Sequence, residues 1–292
     1  MSERSESTST VLAGVDGSQQ STAAVHWAAA EAVRRGSSLR LVYAWPWLTD
    51  GVSSYAEPDD LPDAVQRTLA EAAEEIRGRH PELAVETDAV LDAPVDGLVA
   101  AAADADLLVL GSRGLGGFTG LLLGSVSRSA AGRSPVPVVV VRDAQEGAEA
   151  AAEEVVVGVD GHSPAEEVSA FAFREAALRG ARVRAVHGWD LPPLFGYAGG
   201  AVPEGEVAQL EALEAKLLSL ALAGLREQYP DVAVVEDVRL GAARALVEAS
   251  AGAALVVVGR RHRPAEFGPR LGRVAHAVLH HAEAPVAVVP HE

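Results

Sequence analysis

With 292 residues, the chain is longer than one hydrophobic core usually serves, so two domains are expected. Its 41 acidic and 24 basic residues leave a formal net charge of −17, which disfavours nucleic acid and membranes as partners because both attract basic surfaces. The absence of cysteine excludes disulfides and thiolate metal sites and fits a cytoplasmic protein, and no apolar run reaches the roughly 20 residues of a membrane span.

The chain contains an internal repeat of a whole domain. The segment VLAGVDGSQQ near the start recurs as VVVGVDGHSP after 144 residues, and further along the offset becomes 148. Between the copies lies a charged, alanine-rich segment with the composition of a linker. The predicted organisation is a disordered tail at 1–10, domain 1 at 11–143, a linker at 144–154 and domain 2 at 155–290.

Apolar runs of strand length alternate with helical patterns along the first copy. Ser18 or Ser21 can cap the first helix, and Gly36 can end it. Strands are predicted at 11–15, 39–44, 83–90, 107–110 and 136–141, and helices at 21–35, 61–79, 94–103 and 124–132. Apolar strands joined by helices predict an α/β fold of two tandem doubly wound domains. Each would have a five-stranded parallel sheet in the order 3-2-1-4-5, with helices on both faces.

An aspartate and a glycine-rich segment follow the two strands that flank the reversal of strand order. In open α/β sheets, ligands bind beyond the carboxyl ends of the strands at such a reversal. Strand 1 ends at Asp16, and strand 4 ends at Leu110 before the glycine-rich segment GSRGLGGFTG. The two chain ends therefore predict one crevice, in which Asp16 suits a ribose hydroxyl or a bound cation.

The glycine-rich loop and the helix after it favour an anion. Gly111 and Gly114 allow tight turns and a close approach of backbone amides to a ligand. Gly124 then opens a helix, whose N-terminus attracts negative charge, and Ser125 and Ser127 add hydroxyl donors. The residues alone predict a phosphate-binding crevice, while a solvent-exposed lid without a ligand stays open as an alternative.

The spacing Gly111-x2-Gly114-x9-Gly124-Ser125 resembles the nucleotide-binding signature of the universal stress protein family. The segments GVDGS, LRLVYAW and SPVPVVVVR agree, and the resemblance spans 11–143 and 155–290 as a tandem two-domain form. It implies ATP or a related adenine nucleotide, with Mg²⁺ as an optional companion. The binding positions that it implies are Gly14, Asp16, Ala44, Leu110, Gly111, Arg113, Gly114, Gly124, Ser125, Val126 and Ser127 in copy 1, and Asp160, Gly259 and Gly272 in copy 2.

The second copy departs from this pattern. Gly114 becomes His262, and Ser125 becomes Arg273. A degenerate copy kept for structure is the favoured interpretation. The alternative is an altered site in which arginines hold phosphates by charge, namely Arg260, Arg261, Arg263 and Arg273.

Other patterns carry less functional information. His276 and His280 lie four residues apart on a predicted helix but without an accompanying carboxylate motif, so surface histidines are expected and no metal site is assigned. Trp45 is interpreted as a cap on the sheet end rather than an adenine contact. We find no catalytic nucleophile or general base.

The last strands, 136–141 and 284–289, are apolar and lack the charges that block edge pairing. They are predicted to pair antiparallel with each other as an intrachain pseudo-dimer, and a homodimer of chains is left open.

The favoured function is a cytoplasmic, ATP-binding stress-response or regulatory protein whose nucleotide occupancy is recognised by an unknown protein partner. The alternatives are a slow ATPase or phosphotransferase that uses the domain 1 site, and a structural adaptor without nucleotide.

Overall fold

The structure is a computed structural model that describes residues 9–45, 63–115, 122–142, 153–190, 204–261 and 271–292. The chain divides into two compact units with the boundary between Ala144 and Gln145, which we call domain 1 and domain 2. Several predicted features lie wholly or largely outside the described residues: the tail, the linker, the middle of the glycine-rich loop, His262 and Arg263. The pairing of 136–141 with 284–289 stays a prediction.

Domain 1 alternates strands and helices as predicted. Its elements are β1 (Thr10–Gly14), α1 (Gln19–Arg35), β2 (Ser38–Trp45), α2 (Asp63–Arg79), β3 (Val85–Leu91), α3 (Pro94–Ala101), β4 (Leu107–Gly111), α4 (Ser125–Arg133) and β5 (Val138–Val141). The strands run parallel in the order β3-β2-β1-β4-β5. The predicted fold class and strand order are therefore confirmed for this domain.

Domain 2 repeats the arrangement. Its elements are β6 (Glu154–Gly158), α5 (Glu166–Arg179), β7 (Arg182–Trp189), α6 (Glu204–Gln228), β8 (Val234–Leu240), α7 (Ala242–Ala249), β9 (Leu255–Arg261), α8 (Arg273–His281) and β10 (Val286–His291). The parallel order is β8-β7-β6-β9-β10, which is again 3-2-1-4-5. None of the described helices has the length and hydropathy that would let it cross a membrane.

The cores lie on the central strands. Every residue of β4 and β5 is buried, because helices cover both faces of a parallel sheet and its strands become continuous apolar runs.

The first helix, α1, begins and ends at the residues that the sequence indicates. The Ser18 hydroxyl accepts a hydrogen bond from the Ser21 amide, and Gly36 ends the helix with φ +63°, a left-handed conformation that favours glycine.

Candidate functional site

The carboxyl ends of β1, β2 and β4 border a cavity of about 540 Å³ in domain 1. Its volume lies within the range of small-molecule pockets, and its place is the reversal of strand order. All the copy 1 positions that the resemblance implies line it: Gly14, Asp16, Ala44, Leu110, Gly111, Arg113, Gly114, Gly124, Ser125, Val126 and Ser127. The lining also contains residues that the sequence did not assign to the site: Val15, Ser21, Tyr43, Trp45, Pro94, Leu98 and Leu115.

The start of α4 forms one wall of the cavity. Gly124 is the N-cap residue, its backbone is extended, and no side chain caps the helix. The amides of Ser125, Val126 and Ser127 belong to the first helical turn, whose N–H groups have no partner within the helix. All three residues line the cavity, so these N–H groups and the positive end of the helix dipole favour an anion there.

The Ser127 hydroxyl has a hydrogen-bond partner within the protein. Its hydroxyl donates a hydrogen bond to the Gly111 carbonyl at 2.5 Å, and the pair is buried. A hydroxyl has one proton to donate, so Ser127 ties α4 to β4 and does not offer that proton to a ligand. The exposed hydroxyl of Ser125 is the one that remains on this wall.

Two of the glycines are explained by packing within the protein. A Cβ on Gly111 would lie 2.6 Å from the carbonyl oxygen of Gln20, because β4 passes directly against the backbone of α1. A Cβ on Gly114 would overlap the carboxylate of Asp16. Neither glycine has a positive φ, so close approach of neighbouring groups, rather than turn geometry, requires glycine here.

Asp16 joins the two chain segments that border the cavity. Its Oδ1 accepts a hydrogen bond from the Ser18 amide at 2.9 Å, and its Oδ2 accepts one from the Leu115 amide at 3.1 Å. Burial raises the pKa of Tyr43, and the negative charge of Asp16 raises it further, so the phenol stays protonated at neutral pH. This side of the cavity therefore offers a carboxylate acceptor and a phenol that can donate.

The wall formed by β2 and α3 is largely apolar. Ala44, Pro94 and Leu98 line it together with Trp45, whose ring lies 6.4 Å from that of Tyr43. Trp45 therefore contributes to the cavity as well as to the sheet end. A wall of this kind suits the face of a flat aromatic group, whereas the α4 wall suits negative charge.

Positive charge lies near the same cavity. Arg113 lines it, and Arg142 follows β5. Burial lowers the pKa of Arg142, and the charge of Arg113 lowers it further, although a guanidinium stays protonated in proteins. The two arginines therefore lie close enough to influence each other, and the sequence pattern had singled out only Arg113.

Domain 2 retains parts of the same framework. Asp160 is exposed, and its Oδ1 accepts hydrogen bonds from the amides of His162 at 3.0 Å and Ser163 at 3.3 Å. Gly259 lies in β9, and Gly272 is the N-cap residue of α8, again without a side-chain cap.

The described arginines of the proposed altered site, Arg260, Arg261 and Arg273, differ in exposure. Arg260 is buried, whereas the neighbouring Arg261 is exposed and donates to the Ser163 hydroxyl at 2.7 Å. Adjacent residues of a strand point to opposite faces of the sheet, so the side chains of these two arginines leave the strand in opposite directions. Arg273 is exposed at the start of α8. That the second copy is degenerate stays a prediction.

A model of the universal stress protein family matches residues 8–142 and again residues 152–290. The chain belongs to the universal stress protein family. A universal stress protein of Mycobacterium tuberculosis is 36% identical, and the alignment covers 95% of this chain and 96% of that protein. The resemblance read from the sequence, two universal stress domains in tandem, is thereby confirmed.

Solved universal stress proteins share the fold. One from Archaeoglobus fulgidus superposes with a TM-score of 0.64 at 17% identity, covering 96% of this chain and 98% of that one. Another, solved in complex with cAMP, is 31% identical, has a TM-score of 0.38, and covers 48% of this chain and 100% of its own.

Proposed function

We propose that domain 1 of this universal stress protein binds ATP or a related adenine nucleotide, and that occupancy is a regulatory signal in a cytoplasmic stress response, read by a protein partner. The observation that carries the proposal is the start of α4, where uncapped amides of Ser125, Val126 and Ser127 line a cavity with an apolar opposite wall. A nucleotide has the matching asymmetry, with an anionic phosphate chain at one end and a flat base at the other.

The lining residues suit the parts of such a ligand. The phosphates would meet the α4 amides, the Ser125 hydroxyl and the charge of Arg113. The base would lie against Ala44 and Leu98, and a ribose hydroxyl would donate to Asp16. Mg²⁺ is commonly held by one or two carboxylates together with substrate phosphates, so Asp16 is also the residue that would hold this ion.

Binding is favoured over hydrolysis by the chemistry of the lining. Among the described residues that line the cavity, the titratable side chains are Asp16, Tyr43 and Arg113. Asp16 already accepts two backbone hydrogen bonds, and the raised pKa of Tyr43 keeps its phenol protonated, so it cannot take a proton from water at neutral pH. A positioned general base for attack by water is therefore not evident in this lining.

Calorimetric titration of the full chain with ATP and Mg²⁺ tests the proposal, using Gly124→Val and its matched control Gly272→Val. Both glycines are extended N-cap residues of corresponding helices. A Cβ on Gly124 would lie 3.3 Å from the Ser112 carbonyl oxygen, beside the cavity, whereas a Cβ on Gly272 would meet nothing within 4 Å. We expect one site per chain, weakened about tenfold or more by Gly124→Val and unchanged by Gly272→Val.

Other outcomes would favour other functions. Two sites per chain would mean that domain 2 also binds nucleotide. No binding at millimolar ATP by the folded chain would contradict the proposal and favour an adaptor. Phosphate release that Asp16→Ala abolishes, while ATP binding persists, would establish the slow ATPase or phosphotransferase instead.

A further inference from the structure

Three metal-ligating side chains converge in domain 2, away from the nucleotide cavity of domain 1. His162 lies in the turn after β6, His187 on β7 and Glu214 on α6. The side chains of His187 and Glu214 are 2% and 11% exposed, whereas that of His162 is 63% exposed. The cluster therefore has a rigid inner part and one ligand that solvent can reach.

The spacing of the donor atoms suits a tetrahedral ion. Glu214 Oε2 lies 2.9 Å from His187 Nε2 and 3.0 Å from His162 Nε2. All three donor atoms lie within 4.8 Å of one another. Tetrahedral zinc with bonds of about 2.0–2.1 Å needs donor atoms about 3.4 Å apart, so both contacts must lengthen by about half an ångström through small rotations of the Glu214 carboxylate and the exposed His162 ring.

The surroundings of His187 orient it as a ligand. Its Nδ1 lies 2.9 Å from the Val159 carbonyl oxygen and 3.2 Å from the Gly161 amide nitrogen. In the tautomer that donates from Nδ1 to the Val159 carbonyl, the lone pair of Nε2 faces the Glu214 carboxylate. That tautomer requires a cation, a proton or a metal ion, between Nε2 and the carboxylate 2.9 Å away, and a backbone carbonyl on Nδ1 is the usual outer support of a metal-bound histidine.

The charge of the Glu214 carboxylate also favours a bound cation. A buried carboxylate is costly unless a positive charge compensates it. In the part of the chain that the structure describes, Glu214 has ion-pair contacts with His162 and His187 and with no lysine or arginine. A divalent cation between the three side chains would compensate the carboxylate while both histidines stay neutral.

The cluster is specific to domain 2. The repeat offset of 144 places Ser18 and Tyr43 of domain 1 at the positions of His162 and His187. The counterpart of Glu214 follows from a contact that both domains make. Gly17 lies against Thr68 on α2, and Gly161 lies against Leu217 on α6. Three residues before these contacts, α2 has Val65 and α6 has Glu214. All three ligating side chains therefore differ from their domain 1 counterparts.

We propose that domain 2 binds a divalent transition metal of the zinc type through His162, His187 and Glu214, with a fourth position open to water. This set of two histidines and one carboxylate is one that zinc uses in sites with an open position. The inference concerns domain 2 and stands apart from nucleotide binding by domain 1.

The test is a calorimetric titration of the untagged, chelator-stripped full chain with Zn²⁺. The chain has no cysteine, so thiolates cannot compete for the ion. We expect one tight site per chain, weakened at least about tenfold by Glu214→Gln and by His162→Ala. His162 is exposed, so His162→Ala decides the matter if circular dichroism shows that Glu214→Gln does not fold.

A second histidine pair provides the control. His276 and His280 on α8 have ring centroids 4.4 Å apart and could chelate zinc without Glu214. The double variant His276→Ala/His280→Ala should keep the tight site. The proposal is overturned if this double variant alone removes binding, if His162→Ala binds Zn²⁺ as tightly as the wild type, or if the wild type shows no binding at about 0.1 mM Zn²⁺.

Discussion

At the end of the second strand, domain 1 places Tyr43 and Ala44 beside a cavity, whereas domain 2 places His187 and Gly188 against its own helices. A Cβ on Gly188 would overlap the backbone of Ala242, so the start of α7 packs directly on β7. Domain 1 has Ala44 at the position of Gly188. The Cβ of Ala44 fits beside Gly97 of α3, where an added Cβ would lie 3.3 Å from it. At Gly188, domain 2 therefore has internal packing where domain 1 has a residue that lines its cavity.

The scaffold features survive in both copies. Glu31 on α1 and Glu175 on α5 are fully buried, and each pairs with an arginine one helical turn later, Arg35 and Arg179. Both helices also end at a left-handed glycine. The comparison indicates that the requirements of folding are shared by the two domains, while the strand ends have diverged.

The largest effect is expected for Gly188→Ala. The new methyl group would collide with backbone atoms of α7, which cannot rotate away as a side chain could. We expect a loss of about 3 kcal/mol in the free energy of unfolding of domain 2. Urea unfolding of the full chain measures it, provided that the transitions of the two domains are fitted separately.

Gly224→Ala is the matched control for this substitution. Gly224 lies on α6, and a Cβ there would meet nothing within 4 Å. Alanine at an exposed helical position should stabilise the domain by up to about 1 kcal/mol. Equal stabilities of the two variants would contradict the close packing of α7 on β7.

An intermediate effect is expected at Asp237, where domain 2 has an arginine–aspartate network without a counterpart among the described residues of domain 1. Asp237 on β8 accepts hydrogen bonds from Arg184 at 2.8 Å and from Arg239 at 2.8 Å. Burial by itself raises the pKa of Asp237, but hydrogen bonds from Arg239 and Arg184 and their charges outweigh it, so the pKa lies below its ordinary value. Asp237→Asn should lower the free energy of unfolding by about 2 kcal/mol at pH 7.

The effect at Asp237 should depend on pH with a definite sign. Because folding lowers its pKa, the stabilisation is present above the unfolded value of about 3.8 and is lost as the pH falls through the lower folded value. The difference between wild type and Asp237→Asn should therefore shrink below about pH 4. Asp88→Asn on β3 is the control, since Asp88 is exposed and should show little effect at either pH. A difference that grew in acid would contradict this assignment.

The fold was predictable because its signals are local. Buried runs such as Leu107–Gly111 are continuously apolar. Gly36 indicates a helix end because glycine readily adopts the left-handed conformation found there. The cavity was predictable where motif residues line it, but Tyr43 and Leu98 enter it through the packing of β2 and α3. No spacing in the sequence could join His162, His187 and Glu214, because only the fold of domain 2 brings them together.

The smallest effect is expected at Ser127, where the repeat itself offers the comparison. Ser127 corresponds to Ala275 through the offset of 148, so domain 2 lacks the hydrogen bond between this hydroxyl and the β4 carbonyl. Ser127→Ala should lower the free energy of unfolding of domain 1 by about 1 kcal/mol, the usual contribution of one internal hydrogen bond. Urea unfolding of the variant measures this loss.

Measurements of ATP affinity then distinguish the Ser127 hydroxyl, which has a structural hydrogen bond, from the Ser125 hydroxyl on the cavity wall. The Ser127 proton is directed to Gly111, so Ser127→Ala should change the affinity for ATP less than about threefold, because the backbone amide of residue 127 persists. Ser125→Ala removes an exposed hydroxyl on the cavity wall and should weaken ATP binding more than it affects stability. If Ser127→Ala instead weakened ATP binding tenfold at unchanged stability, its hydroxyl would have to turn from the Gly111 carbonyl to the ligand, and the two serines would share one role.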